Sequence, residues 1–293
     1  MKKKVLLTGA TGFVGKQVLK SLQKSNIEIV LVVKPKWQDR IDNFEKIVKV
    51  VESDDLFSES VEWWSDTCIN IHTIIHMAWY AKPSEYLTSE KNIDCFIGTL
   101  NIAQGAINSS VKRFVGIGTC FEYDLAYDKL SANKTPLNPT TAYSTSKVAS
   151  FLSLSLLFKQ KNIDFLWCRL FYLYGKGENE TRLVPYIKNR LSSGKVANLT
   201  NKDKVRDYLN VSIAGDMIAS VSLRNVNGAV NICSGMPITI GQIAENIADS
   251  FGRRDLLQFG NSPKGKHDPY RIIGELDRLI FPSVKFNEKN IQF

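Results

Sequence analysis

Three glycines directly after the first apolar segment constrain this chain more than any other feature. Lys4–Leu7 is a short segment typical of a strand, and Gly9, Gly12 and Gly15 follow it in "TGATGFVG". Apolar residues then recur at helical spacing in "VGKQVLKSLQK". Glycines in such a turn permit a sharp bend, let a pyrophosphate approach the backbone and allow close helix–strand packing. The pattern predicts a dinucleotide site at a helix N-terminus, where free N–H groups favour negative charge. Its predicted cofactor-binding residues are Gly9, Thr11, Gly12, Phe13, Val14 and Gly15.

The following segments alternate between β-branched runs and helical patterns. Further strands are predicted at residues 27–33, 46–51, 72–78, 113–119 and 164–171. Such alternation is typical of an α/β fold with a doubly wound parallel sheet, whose ligands bind at the carboxyl ends of the strands. We therefore predict a Rossmann domain and a smaller C-terminal substrate-binding domain. The first comprises residues 1–171 and 208–236, and the second residues 172–207 and 237–293.

The end of the second strand bears on the choice of cofactor. An NAD(H) site usually has an acidic residue there to hold the ribose hydroxyls. Here Val33 is followed by Lys34, Pro35 and Lys36, and a lysine suits the 2′-phosphate of NADP(H). The alternative is a solvated turn that contacts nothing. We predict NADP(H) in preference to NAD(H), bound in part by Lys34.

Two other strand ends are predicted to face the ligands. Asp55 follows the third strand and is placed to reach the adenine, although Asp54 is equally placed by sequence. Ala78 ends the fourth strand and lets the backbone approach the cofactor. Trp79 beside it either walls the substrate site or belongs to the core.

Composition excludes several classes of protein. The 293 residues are 44% hydrophobic and 23% charged, which is a globular composition. The net charge of +9 is dispersed, so we predict no nucleic-acid partner but a preference for phosphate-bearing ligands. Since no apolar run approaches about 20 residues and the basic N-terminus lacks a signal-peptide pattern, a cytoplasmic protein is predicted. Five scattered cysteines predict neither a metal site nor disulfides.

A tyrosine and a lysine four residues apart head an apolar run in "TTAYSTSKVASFLSLSLLF". On a helix, Tyr143 and Lys147 would lie on one face. Alone, this spacing is also that of an ordinary amphipathic helix. With the glycine turn, with "IGTCFEY" containing Thr119, and with "RDYLNV" and "NICSGMPITI", the chain resembles the extended short-chain dehydrogenase/reductases, specifically the NDP-sugar epimerase/dehydratase family.

The resemblance implies roles for three residues. Tyr143 would give or take the proton, and Lys147 would assist it and bind the nicotinamide ribose. Thr119 would hydrogen-bond the substrate oxygen and polarise the carbonyl. Lowering the pKa of a tyrosine from about 10 to about 7 requires roughly 4 kcal/mol. We expect the ammonium, the helix N-terminus and the oxidised nicotinamide to supply it.

The residues after Thr119 narrow the reaction. Related 4,6-dehydratases have an acid/base pair at the next two positions, where this chain has Cys120 and Phe121, and Glu122 lies one step too far. Epimerase-reductases of the GDP-fucose type use a cysteine and a histidine that are also missing from the matching positions. A 4-ketoreductase using NADPH and a 4-epimerase using NAD remain, and Lys34 favours the reductase.

The C-terminal half also resembles NDP-4-keto-6-deoxyhexose reductases, the group of CDP-abequose synthases, through "RLFYLYGKGENETRLVPYI" and "LLQFGNSPKGKHDPY". This implies a nucleotide-sugar substrate and a place in surface-polysaccharide (lipopolysaccharide O-antigen) biosynthesis. Arg206 would bind the substrate diphosphate; its alternative is a surface ion pair with Asp203 or Asp207. The residues predicted to contact substrate are Trp79, Tyr172, Leu183, Val184, Arg206 and Arg271. Tyr172 departs from the asparagine that relatives commonly have there.

Two expectations concern partners and a rival class. The family commonly forms helix-paired dimers, so we expect a homodimer in which Leu152, Leu156 and Leu157 face a partner, although burial against the sheet explains them equally well. The non-enzymatic rival is an NADP(H)-sensing regulatory protein. Such proteins tend to lose the Tyr–Lys pair that this chain keeps.

Overall fold

The computed structural model describes residues 2–37, 40–41, 45–260, 269–284 and 293. The described strands are β1 (Lys3–Thr8), β2 (Ile27–Val33), β3 (Ile47–Glu52), β4 (Thr73–His76), β5 (Arg113–Thr119), β6 (Asp164–Leu170), β7 (Tyr172–Tyr174), β8 (Ala197–Thr200), β9 (Val205–Asn210), β10 (Gly228–Ile232), β11 (Pro237–Thr239), β12 (Leu257–Gly260) and β13 (Arg271–Ile272). The described helices are α1 (Phe13–Leu22), α2 (Val61–Thr67), α3 (Lys91–Asn108), α4 (Ala142–Gln160), α5 (Leu183–Ser192), α6 (Val211–Leu223) and α7 (Ile240–Phe251).

Seven of these strands form a parallel sheet in the order β10-β6-β5-β4-β1-β2-β3. The chain runs outward from β1 through β2 to β3, returns to β4 on the other side of β1, and then proceeds to β5, β6 and β10. This reversal beside β1 is the switch point of a doubly wound sheet, where the carboxyl ends leave a crevice. The α/β Rossmann prediction is confirmed.

Both faces of the sheet are covered, as a parallel sheet requires. Side chains alternate along β1, so Val5 and Leu7 pack into one apolar cluster and Leu6 into the cluster on the opposite face. Val115 and Phe114 divide in the same way on β5. The continuous apolar segments of the sequence therefore reflect burial from both sides.

The predicted fourth strand is shorter than expected. It was predicted to reach residue 78, but β4 ends at His76. The backbone N–H groups of Met77 and Ala78 donate instead to the Thr8 hydroxyl, at 3.1 and 3.2 Å. The Thr8 hydroxyl thus takes the place of the backbone partners that Met77 and Ala78 would have in a longer strand, and β4 ends beside the glycine turn.

The C-terminal elements form a smaller α/β part with its own apolar cluster. Strands β11, β9 and β13 pair side by side, β7 pairs with β9, and β12 pairs with β8. Helices α5 and α7 supply Ile187, Leu191, Ile243 and Ile247 to the cluster. The exact domain boundaries stay a prediction, and residues 261–268 of "LLQFGNSPKGKHDPY" lie outside the described residues.

Candidate active site

A cavity of ≈ 1310 Å³ lies at the carboxyl ends of the central strands. It is lined by Thr119, Tyr143 and Lys147, the three predicted catalytic residues. The other predicted cofactor residues also line it: Gly9, Thr11, Gly12, Phe13, Val14, Gly15, Lys34, Asp55 and Ala78. The fold therefore gathers into one site residues from the loops after β1, β2, β3, β4 and β5 and from α4.

The glycine turn leaves no room for side chains. Gly9 has φ of +72°, and a Cβ there would lie 2.7 Å from the Ala78 nitrogen. A Cβ on Gly15 would lie 2.0 Å from the Gly9 carbonyl oxygen, the atom that accepts the Gly12 N–H at 3.1 Å. Helix α1 has no side-chain N-cap and no acidic residue in its first turn. Its first N–H groups thus face the cavity without a competing anion, and the cradle fits a pyrophosphate.

The cavity rim beyond β2 is basic. Lys34, Lys36 and Arg40 line it, and all three are exposed. Asp55 lines the cavity on the neighbouring side, where its carboxylate accepts the Phe57 N–H at 3.2 Å. Among the described residues that line the rim directly after β2, the charged side chains are cationic.

Helix α4 holds the Tyr–Lys pair beside the end of β5. It begins after Thr141, whose hydroxyl accepts the Ser144 N–H at 3.1 Å in a capping box. The Lys147 ammonium donates to the Ile117 carbonyl at 2.7 Å and lies 5.9 Å from the centre of the Tyr143 ring. The Thr119 hydroxyl lies near the Tyr143 phenol and acts to lower its pKa. The side-by-side placement predicted from the spacing is what the helix provides.

The ionisation of this pair departs from the expectation. Burial raises the pKa of Tyr143 well above its ordinary value, and the nearby Thr119 hydroxyl only partly opposes this. Burial lowers the pKa of Lys147 to about 7, although the Glu122 carboxylate counteracts it. Burial therefore acts against the expected lowering of the Tyr143 pKa, to which a bound oxidised nicotinamide would contribute, and that lowering stays a prediction for Tyr143. Its phenol stays protonated at neutral pH.

Glu122 is committed to a buried network. Its carboxylate accepts the Arg169 Nε–H at 2.6 Å, the Trp167 indole N–H at 3.0 Å and the Thr119 backbone N–H at 2.8 Å. The Glu122 side chain is fully buried, and that of Arg169 is 2% exposed. Arg169 Nη1 continues the network by donating to the Tyr123 hydroxyl at 3.1 Å. Glu122 thus supports the Thr119 backbone from behind.

The predicted substrate residues divide into two groups. Trp79, Tyr172 and Leu183 line the cavity, whereas Val184, Arg206 and Arg271 do not. The structure accounts for each of these three.

Val184 is buried in the apolar cluster of the C-terminal part because it is on the inner face of α5. Arg206 is also buried and does not lie at the surface. Its guanidinium donates to the Val205 carbonyl at 2.8 Å and packs 5.6 Å from the Tyr172 ring. Arg271 is exposed and donates to the Asp128 carbonyl at 3.3 Å. Their contact with substrate stays a prediction.

The sequence analysis missed several lining residues. Arg182 lines the cavity, and its guanidinium lies 5.6 Å from the centre of the Tyr86 ring, which in turn packs edge-on at 4.9 Å against Tyr143. Tyr208 and Glu178 line the cavity as well. Burial raises the pKa of Glu178 to about 7. Arg182 directly precedes Leu183 and Val184, which the sequence predicts to contact the substrate, so its position in the chain is the signal that points to it.

Other candidate features carry no site. Within the described ranges, no group of three or more His, Cys, Asp or Glu side chains could hold a metal ion. All five cysteines are buried and free. None of the helices in the described part of the chain is both long and apolar enough to cross a membrane.

Comparison with known proteins identifies the family of this chain and several relatives. The model of the NAD dependent epimerase/dehydratase family matches residues 5–233. The chain is 22% identical over 265 residues to CDP-abequose synthase of Salmonella muenchen, covering 88% of this chain and 84% of the relative. It is 25% identical over 277 residues to dTDP-4-dehydro-6-deoxyglucose reductase of Escherichia coli, covering 87% and 84%. The Thermus thermophilus UDP-glucose 4-epimerase in complex with NAD superposes with a TM-score of 0.80 at 19% identity, covering 96% and 93%.

Proposed function

Because the chain belongs to the NAD-dependent epimerase/dehydratase family, we propose that it reduces the 4-keto group of a nucleotide-linked (6-deoxy)hexose with NADPH. The observation that carries the proposal is the set of side chains that follow Thr119 in sequence. Cys120 is buried, Phe121 cannot transfer protons, and Glu122 is locked to Arg169. Dehydration at carbons 5 and 6 needs an acid/base pair at that place, whereas carbonyl reduction needs only Thr119, Tyr143 and Lys147.

The ionisation of Tyr143 is compatible with a role as the proton donor in reduction. Reduction needs a protonated phenol that gives its proton to the oxygen at carbon 4, and burial keeps the Tyr143 phenol protonated by raising its pKa. Thr119 would donate a hydrogen bond to the same oxygen and stabilise its developing charge. Lys147 would compensate the phenolate that remains. The nicotinamide, when bound, supplies the hydride.

Two features bear on the choice of NADP(H). Lys34, Lys36 and Arg40 place three cations on the rim where a ribose 2′-phosphate would be, and phosphate favours such charge. The Thermus epimerase of the same fold is a complex with NAD, so the fold alone does not favour NADP. The preference for NADP(H) therefore rests on these three side chains, with the glycine turn holding the pyrophosphate that both cofactors share.

The sugar nucleotide would occupy the part of the cavity that Tyr172 and Tyr208 line. Aromatic rings of Tyr172 and Tyr208 pack 5.4 Å apart there, and Phe121 packs edge-on against Tyr172 at 6.2 Å. Arg182 is the cavity-lining cation in this part that could bind a diphosphate in the role first assigned to Arg206. The relatives named for a CDP-linked and a dTDP-linked sugar support a nucleotide-sugar substrate. A place in surface-polysaccharide biosynthesis is part of the same proposal.

A homodimer formed through α3 and α4 is part of the proposal. Leu152 and Leu156 on α4 are 54% and 61% exposed, and Ile93 and Ile97 on α3 are 57% and 51% exposed. Leu157 is half-buried, so the stripe comprises the other four residues. Leu156→Asp should turn the dimer into a monomer in sedimentation experiments, because a carboxylate would be desolvated at the interface. A wild-type monomer would contradict this.

The test of the function is a panel of substrates. Purified protein is mixed with CDP-, dTDP-, GDP- or UDP-linked 4-keto-6-deoxy sugars, with NADPH and NADH in parallel, and the absorbance of the reduced nicotinamide is followed. We expect NADPH oxidation with one nucleotide and its loss in Tyr143→Phe. Binding of NADPH without turnover of any sugar would favour the regulatory protein instead.

A further inference from the structure

Trp79 contacts Lys147 in a way that neither the sequence nor a substrate-wall role explains. The Lys147 ammonium lies 3.5 Å from the centre of the Trp79 ring, well within the range of a cation–π interaction. Trp79 follows β4 in sequence, whereas Lys147 is in the second turn of α4. The contact therefore joins two elements that meet only in the folded protein.

The Trp79 ring is held in this position from several sides. Its indole N–H donates to the Asn92 side-chain oxygen at 2.8 Å. Asn92 is fully buried, and its amide donates to the carbonyls of Tyr86 at 2.6 Å and Ser89 at 2.8 Å. Phe57 packs edge-on against Trp79 at 6.4 Å. A buried side chain with all three hydrogen bonds made is a rigid support, so the indole face is presented to Lys147 in one orientation.

Apart from the Ile117 carbonyl, which accepts a hydrogen bond from the ammonium at 2.7 Å, few other groups around Lys147 can stabilise its charge. The Glu122 carboxylate raises the pKa of Lys147 from a distance, but its oxygens are already bonded within the buried network. Cys95 of α3 has a pKa raised by burial to about 11 and is therefore a neutral thiol. His76 of β4 has a pKa lowered by burial to about 3, and Tyr143 on the same helix is protonated, so both are neutral as well.

We infer that Trp79 is a positioning residue that acts through Lys147, its indole face holding the lysine as an ammonium beside Tyr143. The inference rests on the proposed function for its effect on turnover, since an ammonium is needed to compensate the phenolate that forms on proton donation. The contact itself does not depend on turnover. It can be tested without turnover.

The direct test measures the ionisation of Lys147 by NMR in the full chain labelled with ¹³C at the lysine Cε. The Lys147 signal is identified by its disappearance in Lys147→Met and by its titration far below that of surface lysines. Trp79→Met removes the π face and leaves a flexible apolar side chain that can fill the space of the indole. If Trp79→Met does not fold, Trp79→Leu serves the same purpose. Trp79→Phe keeps an aromatic face.

A desolvated cation–π contact corresponds to a shift of about one pH unit. We expect the Lys147 pKa to fall by about that much in Trp79→Met and to stay near the wild-type value in Trp79→Phe. With an accepted sugar, the alkaline limb of the kcat/KM profile should move to lower pH by the same amount. Equal Lys147 pKa values in wild type and in a folded Trp79→Met would overturn the inference. A panel without turnover would instead refute the proposed function and leave the NMR result to decide this one.

Discussion

Replacing Glu122 by glutamine separates a structural role of this residue from a catalytic one. The carboxylate is the counter-ion of Arg169, whose Nη2 has no hydrogen-bond partner among the residues that the structure describes. Glutamine has nearly the same shape and one carbonyl oxygen, but its NH₂ would face the guanidinium, donor against donor. A buried cation would then remain without compensation.

Breaking a buried ion pair by removing one partner costs about 3–5 kcal/mol. The Thr119 and Trp167 N–H groups can still share the remaining amide oxygen, so we expect Glu122→Gln to lose about 3–4 kcal/mol of unfolding free energy. That is a large part of the roughly 5–15 kcal/mol typical of a folded protein. Urea denaturation should therefore show a lower midpoint at an unchanged slope.

Two variants control this experiment. Glu122→Gln combined with Arg169→Met removes the uncompensated charge and should recover much of the loss, as a double-mutant cycle would reveal. Glu85→Gln breaks the exposed ion pair with Lys82 and should leave the midpoint unchanged. If Glu122→Gln were as stable as the wild type yet inactive, Glu122 would take part in the chemistry, and the argument against a dehydratase would fail.

Three further predictions concern the glycine turn, a buried histidine and the basic rim of the cavity. Gly15→Ala should abolish cofactor binding in a fluorescence titration, because its Cβ would lie 2.0 Å from the Gly9 carbonyl oxygen. The control is Gly260→Ala, whose Cβ has room, and this variant should bind the cofactor as the wild type does. Tight binding by Gly15→Ala would contradict the proposed pyrophosphate cradle. The pKa of His76 is about 3 in the folded protein and about 6.5 in an unfolded chain. The neutral imidazole therefore contributes its full stability above pH 6.5, and this stability decreases as the pH is lowered, by about 2 kcal/mol at pH 5. Urea midpoints at pH 7.5 and 5 should show this loss, and His76→Gln should reduce it. Lys34→Glu should weaken NADPH binding by about tenfold or more and leave NADH binding unharmed, as parallel titrations would measure; equal effects on both would remove Lys34 from the 2′-phosphate site.

The features that could be predicted from sequence are those encoded locally. The glycine turn, the alternation of strands and helices, and the four-residue spacing of Tyr143 and Lys147 each lie within one segment of chain. Arg206 could not be placed, because its orientation depends on β7 and β9 pairing so that Tyr172 packs against the guanidinium. The position of Arg182 in the cavity likewise depends on contacts between distant segments, such as its packing against the Tyr86 ring.

The pKa values of the site residues could not be predicted from the sequence either, because they too depend on contacts between distant segments. The spacing of Tyr143 and Lys147 predicts that they are neighbours, but it does not predict how far burial shifts their pKa values. Nor does it reveal that Glu122, three residues after Thr119, turns back to bind Arg169 from β6. Burial and long-range contacts decide both, and they follow only from the assembled fold.

The most direct test of the reductase proposal follows a deuterium atom. The protein is incubated with the accepted 4-keto-6-deoxy sugar nucleotide and NADPH carrying deuterium at nicotinamide C4, in separate samples labelled on each face, and the product is analysed by NMR. We predict deuterium at carbon 4 of the sugar from one of the two samples, with one NADPH oxidised for each product formed. Conversion of a plain nucleotide-hexose to its 4-epimer, without net NADPH oxidation and without deuterium in the sugar, would contradict the account.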